Sequence, residues 1–138
     1  MKAIMLSIHP EWAEKIYSGE KTVEWRKTVP HKLKAAFREV FLYETSPVCK
    51  VTGYFDLLIP IEIDATNIRP KLDELYVERG CVPVDDLVKY QGKKNIVYAW
   101  VFNHFVKFDQ PKTLADFGLK RAPQSWQYVE DEINGGKK

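Results

Sequence analysis

The stretch Asn95–Phe108 carries β-branched and aromatic side chains almost throughout, with Tyr98, Trp100 and Phe102 on one face. Such a composition favours a strand, and a strand of this length must bend, because twisted sheets of long strands curl toward barrels. The fold must therefore accommodate one long, curved, aromatic strand late in the chain. Earlier segments supply its partners. Val40–Glu44 and Cys49–Ile59, the second continuing toward Ile63, read as strands, with Ser46-Pro47 as a turn and Gly53 as a bulge position. Ala3–Ile8 is apolar on both faces, as a strand inside a sheet would be. Lys21–Lys27 alternates, placing Val23 and Trp25 on one face and Thr22, Glu24 and Arg26 on the other. Two opposite charges thus share one strand face.

A well-punctuated helix separates the first two of these strands. Pro10 suits its first position, Trp12, Ala13, Ile16 and Tyr17 form one stripe, Glu11 and Lys15 pair four apart, and Gly19 closes it. A second helical segment is expected around Leu72, Leu75 and Tyr76, ending at Gly80, and a third over Val84–Tyr90 before Gln91-Gly92. Pro111–Val129, with Leu114, Phe117 and Trp126, is expected to pack on the body. The order strand, helix, strands, helices, long strand lacks the regular alternation of a doubly wound parallel sheet. It implies an α+β fold: a mixed, partly closed β-barrel with peripheral α-helices. A chain of 138 residues is near the common size of one domain, so one domain is expected over residues 1–130, with 131–138, polar and containing Gly135-Gly136, as a flexible tail.

The composition narrows the function classes. Twenty-one basic residues are nearly cancelled by nineteen acidic ones, so overall charge does not by itself indicate a polyanion partner. Local clusters carry that argument: His31, Lys32, Lys34 and Arg38, with Arg69, Lys71, Lys93, Lys94, Lys120 and Arg121 elsewhere, suffice for a few phosphate contacts if they share a face. They serve equally as an ordinary solvated surface. No apolar run reaches the roughly 20 residues of a membrane helix and the N-terminal segment lacks signal-peptide features, so a cytoplasmic location is expected. Cys49 and Cys81 stand apart without neighbouring ligand-type residues and are read as buried thiols; no metal site and no cofactor are expected. Phosphate loops, dinucleotide fingerprints and nucleophile elbows are absent. His9, His31 and His104 are scattered, and without a visible partner none is assigned a role.

Gly19-Glu20-Lys21-Thr22-Val23-Glu24-Trp25-Arg26 matches G-x-K-x-x-E-x-R, the signature of the ASCH family. The whole opening, LSIHPEWAEKIYSGEKTVEWRK, resembles that family's strand-helix-strand start, and Tyr43-Glu44-Thr45-Ser46-Pro47 resembles its turn after the third strand. Val82–Tyr90 resembles the helix before its last long strand, and the segment from Asp116 to Trp126 an element of some members, so the resemblance extends over residues 1–129. It implies a PUA-like barrel with a cleft beside the first helix that takes single-stranded RNA or a modified nucleoside. Lys21 at the mouth would offer a mobile charge or a nucleophilic amine, Arg26 a planar fork and Glu24 an acceptor for a base amino group. Tyr43 and Ser46 join them as expected ligand contacts. The alternative is that Glu24 and Arg26 form an exposed pair, contributing ~0 to 1 kcal/mol.

Two functional readings follow from the resemblance. The first is a binding module for RNA or a nucleoside. The second is a hydrolase, since some members are described as ribonucleases and others as amidohydrolases of N4-acylated cytidine. The resemblance then implicates Lys21, Tyr43, Lys50 and Ser125 as catalytic groups: Tyr43 to stack or move a proton, Lys50 to stabilise a phosphorane, Ser125 to bind or attack. Tyr43 as a half-buried strand residue, Lys50 as a solvated one and Ser125 as a helix cap is the plainer reading. Ribonuclease ranks above amidohydrolase because Glu24 stands where the deacylating members carry threonine. An acid from the second helix, Glu74 or Glu78, is a further candidate. Trp12 is expected to pack against Trp25 as a structural residue.

Overall fold

The long aromatic strand is the spine of the sheet. The computed structural model describes residues 2–30 and 38–130. In it β5 (Val97–Lys112) pairs antiparallel with both β2 (Val23–Arg26) and β4 (Lys50–Ile63). β4 then pairs with β3 (Arg38–Glu44), β3 runs parallel to β1 (Lys2–Ile8), and β1 pairs antiparallel with β6 (Trp126–Glu130). The result is a six-stranded sheet of order β2-β5-β4-β3-β1-β6, curled into a half-barrel in an α+β fold of the PUA-like kind. The β4–β5 register shifts at Val51/Gly53, Tyr54/Asp56 and Leu57/Ile59, and such bulges are what let two long strands curl. Gly53 lies at one of them because a Cβ there would come 2.2 Å from the Val106 carbonyl oxygen.

Three apolar clusters hold the sheet. Ile4, Leu6, Ile8, Val40, Leu42, Phe55, Leu57, Trp100 and Phe102 line the concave face, where α1 (Pro10–Tyr17) covers them with Ala13 and Ile16. Period-2 alternation turns Ala3, Met5, Phe41 and Val51 to the opposite face, under Phe117. Phe117 belongs to a short 3-10 turn, Leu114–Phe117, whose Thr113 and Asp116 cap each other's backbone, and its ring lies 4.8 Å from that of Phe41. The third cluster, Val23, Trp25, Ile63, Ala65, Leu87, Val97 and Ala99, joins the β2 end of the sheet to α2 (Glu74–Gly80) and α3 (Val84–Gln91).

The structure corrects several expectations. Residues 126–130 do more than pack on the body: they form the edge strand β6. Leu72 and Leu75 are 54% and 51% exposed, so Tyr76 and Val77, not those leucines, bind α2 to the core. Cys49 is exposed and Cys81 half-buried, because both occupy left-handed backbone positions at turns rather than strand interiors. Trp12 and Trp25 belong to different clusters, α1 bringing Trp12 to the concave face and β2 turning Trp25 toward α2. The basic residues His31, Lys32 and Lys34 and the tail 131–138 lie outside the described residues. No described helix is long and apolar enough to cross a membrane.

The contact between α2 and β2 is close enough to forbid a side chain. A Cβ on Gly80 would stand 2.0 Å from Trp25 Nε1. Gly80→Ala is therefore expected to destabilise the protein by about 1–3 kcal/mol through overpacking, read as a lower urea midpoint at unchanged slope. Wild-type stability in that variant would show that α2 is free to move off β2.

A charged cavity at the carboxyl ends of the parallel strands

The parallel strands β1 and β3 end side by side, Ile8 opposite Glu44, and the chain leaves them as His9 and Thr45. A cavity of about 470 Å³ opens there, within the roughly 300–1,000 Å³ range of small-molecule sites. Ser7, Ile8 and His9 line it from β1, Trp12 from α1, Lys21, Glu24, Trp25 and Arg26 from the β2 region, and Thr45 from the turn after β3. Val82, Asp86, Leu87 and Tyr90 close it from the α3 side, and Gln124 from the segment before β6.

At its centre Glu24 lies between two cations. One carboxylate oxygen accepts from Arg26 Nε at 2.9 Å and Nη2 at 2.6 Å, and the other is 3.3 Å from Lys21 Nζ. Arg26 also donates through Nη2 to the Ser7 carbonyl at 2.9 Å and through Nη1 to Ser125 Oγ at 3.1 Å. The guanidinium thereby ties the end of β2 to β1 and to the approach to β6. Thr28 extends the closure: its carbonyl accepts from the Trp100 indole at 3.1 Å and its hydroxyl from the Trp126 indole at 2.9 Å. Side chains, rather than a backbone ladder, bring the two edges of the half-barrel together.

Lys21 is not the mobile charge expected at the mouth. It is 1% exposed, and Nζ donates to the Gly80 carbonyl at 2.5 Å, at the C-terminal end of α2, where unpaired carbonyls and the helix dipole favour a cation. Its ammonium also lies 5.3 Å from the centre of the Trp12 ring. Burial holds Lys21 below the usual lysine value, with Glu24 opposing. For Glu24, burial alone would raise the carboxyl, but Arg26 and then Lys21 outweigh it and hold the group below its ordinary 4.5. The glutamate therefore stays ionised, a fixed acceptor between two donors.

The remaining candidates fall into two sets. Ser125 is joined directly to Arg26. Tyr43 lies on the other side of Ser7: the two are register partners in β1 and β3, while the Ser7 amide donates to the Ser125 carbonyl at 2.9 Å. Ser125, Ser7 and Tyr43 thus sit on adjacent chain segments at one end of the sheet, and Lys50, opposite Glu44, begins the next strand. Tyr43 packs against the Phe41–Phe117 cluster and does not line the cavity; burial and then the Cys49 thiol hold its phenol above the usual value. Lys50 and Ser46 are exposed, as are Glu74 and Glu78 on α2, and none of them lines the cavity. Trp12 is a half-buried wall of the cavity rather than only a core residue. Sequence reasoning missed His9 and Tyr90 as lining residues. Tyr90 was visible in its helix, but nothing local shows that α3 folds over β2. Among the described residues no three His, Cys, Asp or Glu side chains gather into a group that could hold a metal ion.

A curled PUA-like half-barrel with a charged cavity beside its first helix defines the class. Within that class, the ASCH domain family matches residues 6–112, and the chain belongs to it. It is 28% identical over 129 residues to a protein named ATP synthase subunit alpha from Ureaplasma parvum, covering 94% of this chain and 15% of that one. It is also 36% identical over 67 residues to an ASCH domain-containing ribonuclease of Zymomonas mobilis, covering 49% of this chain and 44% of that one. The chain therefore spans less than half the length of these relatives. The crystal structure of an ASCH protein from Zymomonas mobilis superposes with a TM-score of 0.77 at 25% identity, covering 94% of this chain and 89% of that one.

The ion array makes two stability predictions. Removing Glu24 leaves two cations unpaired in a buried site, so Glu24→Gln should cost about 3–5 kcal/mol near neutral pH. The folded-state carboxyl lies below its unfolded value, so this contribution is complete above pH 4.5 and lost as the pH falls through the folded-state value. The gap between parent and variant in urea melts should accordingly close on the acid side. Lys21→Met is expected to cost less, about 1–3 kcal/mol, because it leaves the Gly80 carbonyl and one Glu24 oxygen without a donor while Arg26 still pairs the carboxylate. Parent-like stability in Lys21→Met would show that the cost of burying the ammonium cancels what its partners gain.

Proposed function

We propose that this domain binds RNA or a nucleoside, seating a base in the cavity over Lys21, Glu24 and Arg26. The observation that carries this reading is the pairing of a buried, ordered donor-acceptor array with aromatic walls in a cavity of about 470 Å³. Of the aromatic residues lining the cavity, Trp12 is half-buried and Tyr90 exposed, and base stacking on such rings contributes about 1–3 kcal/mol per base. Among the described residues Arg26 makes four N–H contacts to protein atoms, leaving one N–H of Nη1 from the five a guanidinium carries. Glu24 adds an acceptor beside it. Membership of a family with a member named as a ribonuclease supports RNA as the ligand class. A modified nucleoside fits the same array.

A hydrolase is the second reading, and the named ribonuclease favours RNA cleavage over deacylation of N4-acylated cytidine. Tyr43, Ser7 and Ser125 on adjacent segments, with Lys50 beside them, could act on a phosphate next to the seated base. Because the Tyr43 phenol is held high, it would serve as a proton donor rather than a base. Lys21, committed to Gly80 and Glu24, fits better as part of the binding array than as a nucleophile. No cofactor is needed for either reading.

Tryptophan quenching with short single-stranded RNAs and with nucleosides, acetylated cytidine included, tests the binding reading. Trp12→Ala should weaken binding about 5- to 150-fold, the equivalent of about 1–3 kcal/mol. Unchanged affinity in that variant would place the ligand elsewhere. In parallel incubations, Tyr43→Phe and Lys50→Ala should each lower RNA cleavage by roughly 10²- to 10³-fold if the domain is a ribonuclease. Cleavage identical in both variants would mark a contaminant, and an absence of product throughout would leave the domain a binder.

A further inference from the structure

We propose that His9 contacts a phosphodiester at the cavity mouth, so that the domain takes a segment of polynucleotide rather than a free nucleoside. The inference rests on a base occupying the cavity and concerns the group that would lie beside it.

His9 stands where β1 ends and α1 begins, in extended conformation, and its ring does not cap the helix. Instead Nδ1 is 3.2 Å from Thr45 Oγ1. Thr45 is itself fixed, its amide donating to the Ile8 carbonyl at 2.9 Å. Both side chains line the cavity, and His9 is exposed. The ring is therefore oriented through Nδ1, leaving Nε2 without a protein partner among the described residues. A hydroxyl can donate to or accept from Nδ1, and where Thr45 donates, the ring proton sits on Nε2, which then presents an N–H donor to the mouth.

The cavity floor has little left for a phosphate. Lys21 is held by Gly80 and Glu24, and Arg26 by Glu24, Ser7 and Ser125. The charged groups that line the cavity with His9 are these three from the β2 region and Asp86 from α3; Glu11 lies in the first turn of its own helix, and Glu44 pairs with Ile8 at the end of β3.

Calorimetric titration of the four ribonucleosides and the four matching dinucleoside monophosphates tests this. The parent should bind the dinucleotides about tenfold tighter than the nucleosides. His9→Ala should show no such gain, and His9→Lys should keep it. If nucleosides bind but dinucleotides gain nothing, or the gain survives in His9→Ala, the assignment of His9 is overturned while the cavity reading stands. If neither class of probe binds, the cavity reading fails, and this inference with it.

Discussion

Glu24 holds two buried cations at once, and the positions of β2, α2 and the start of β6 all refer to that carboxylate. Lys21 reaches it from the loop before β2 and carries with it the Gly80 carbonyl at the end of α2. Arg26 reaches it from the end of β2 and carries Ser7 of β1 and Ser125 before β6. Burying three charges costs several kcal/mol in desolvation, which attraction and hydrogen bonds recover only with good geometry. The distances of 2.6 to 3.3 Å around Glu24 supply that geometry. Such an array is a weak source of net stability and a strong source of orientation. It keeps donors and an acceptor fixed where a ligand would otherwise have to order them.

The cavity exists because the sheet is incomplete. β2 and β6 occupy opposite edges of the half-barrel, and side chains from both reach toward each other without forming a ladder. Arg26, Thr28, Trp100 and Trp126 bridge the gap, and the space beside that bridge is the cavity, at the carboxyl ends of the parallel pair β1 and β3. Ligands favour such strand ends because the chain there turns away from the ladder and exposes backbone and loop groups. The two candidate sets are adjacent for the same reason. Alternation along β1 turns Ile8 to the concave cluster, while Ser7, one residue earlier, links Ser125 to Tyr43.

Much of this was legible in the residue pattern. Pro10 and Gly19 bracket α1, and its Ala13 and Ile16 stripe faces the core. The aromatic alternation of β5 places Trp100 and Phe102 inside, and Gly53 falls at a register shift. Expectations failed where a local pattern had two outcomes. Leu72 and Leu75 have helical spacing, yet α2 presents Tyr76 and Val77 to the core, since where α2 lies on β2 decides which side of it is covered. Trp126–Glu130 is too short and mixed to declare itself a strand, and becomes one because β1 offers an unpaired edge.

By itself the sequence determined the periodicities: which segments extend, which coil, where the first helix starts and stops, and that Lys21, Glu24 and Arg26 recur in the spacing of one family. Those features depend on backbone preferences and on neighbours within a few positions, so they survive without coordinates. Only the tertiary structure decided burial and partnership. Lys21 became an interior charge because a helix end 59 residues away brings a carbonyl to it, and His9 gained an orienting partner because Thr45, 36 residues on, ends the neighbouring strand. A charge's cost and a ring's direction depend on what closes around them, and loops of that length leave such meetings undetermined until the sheet has curled.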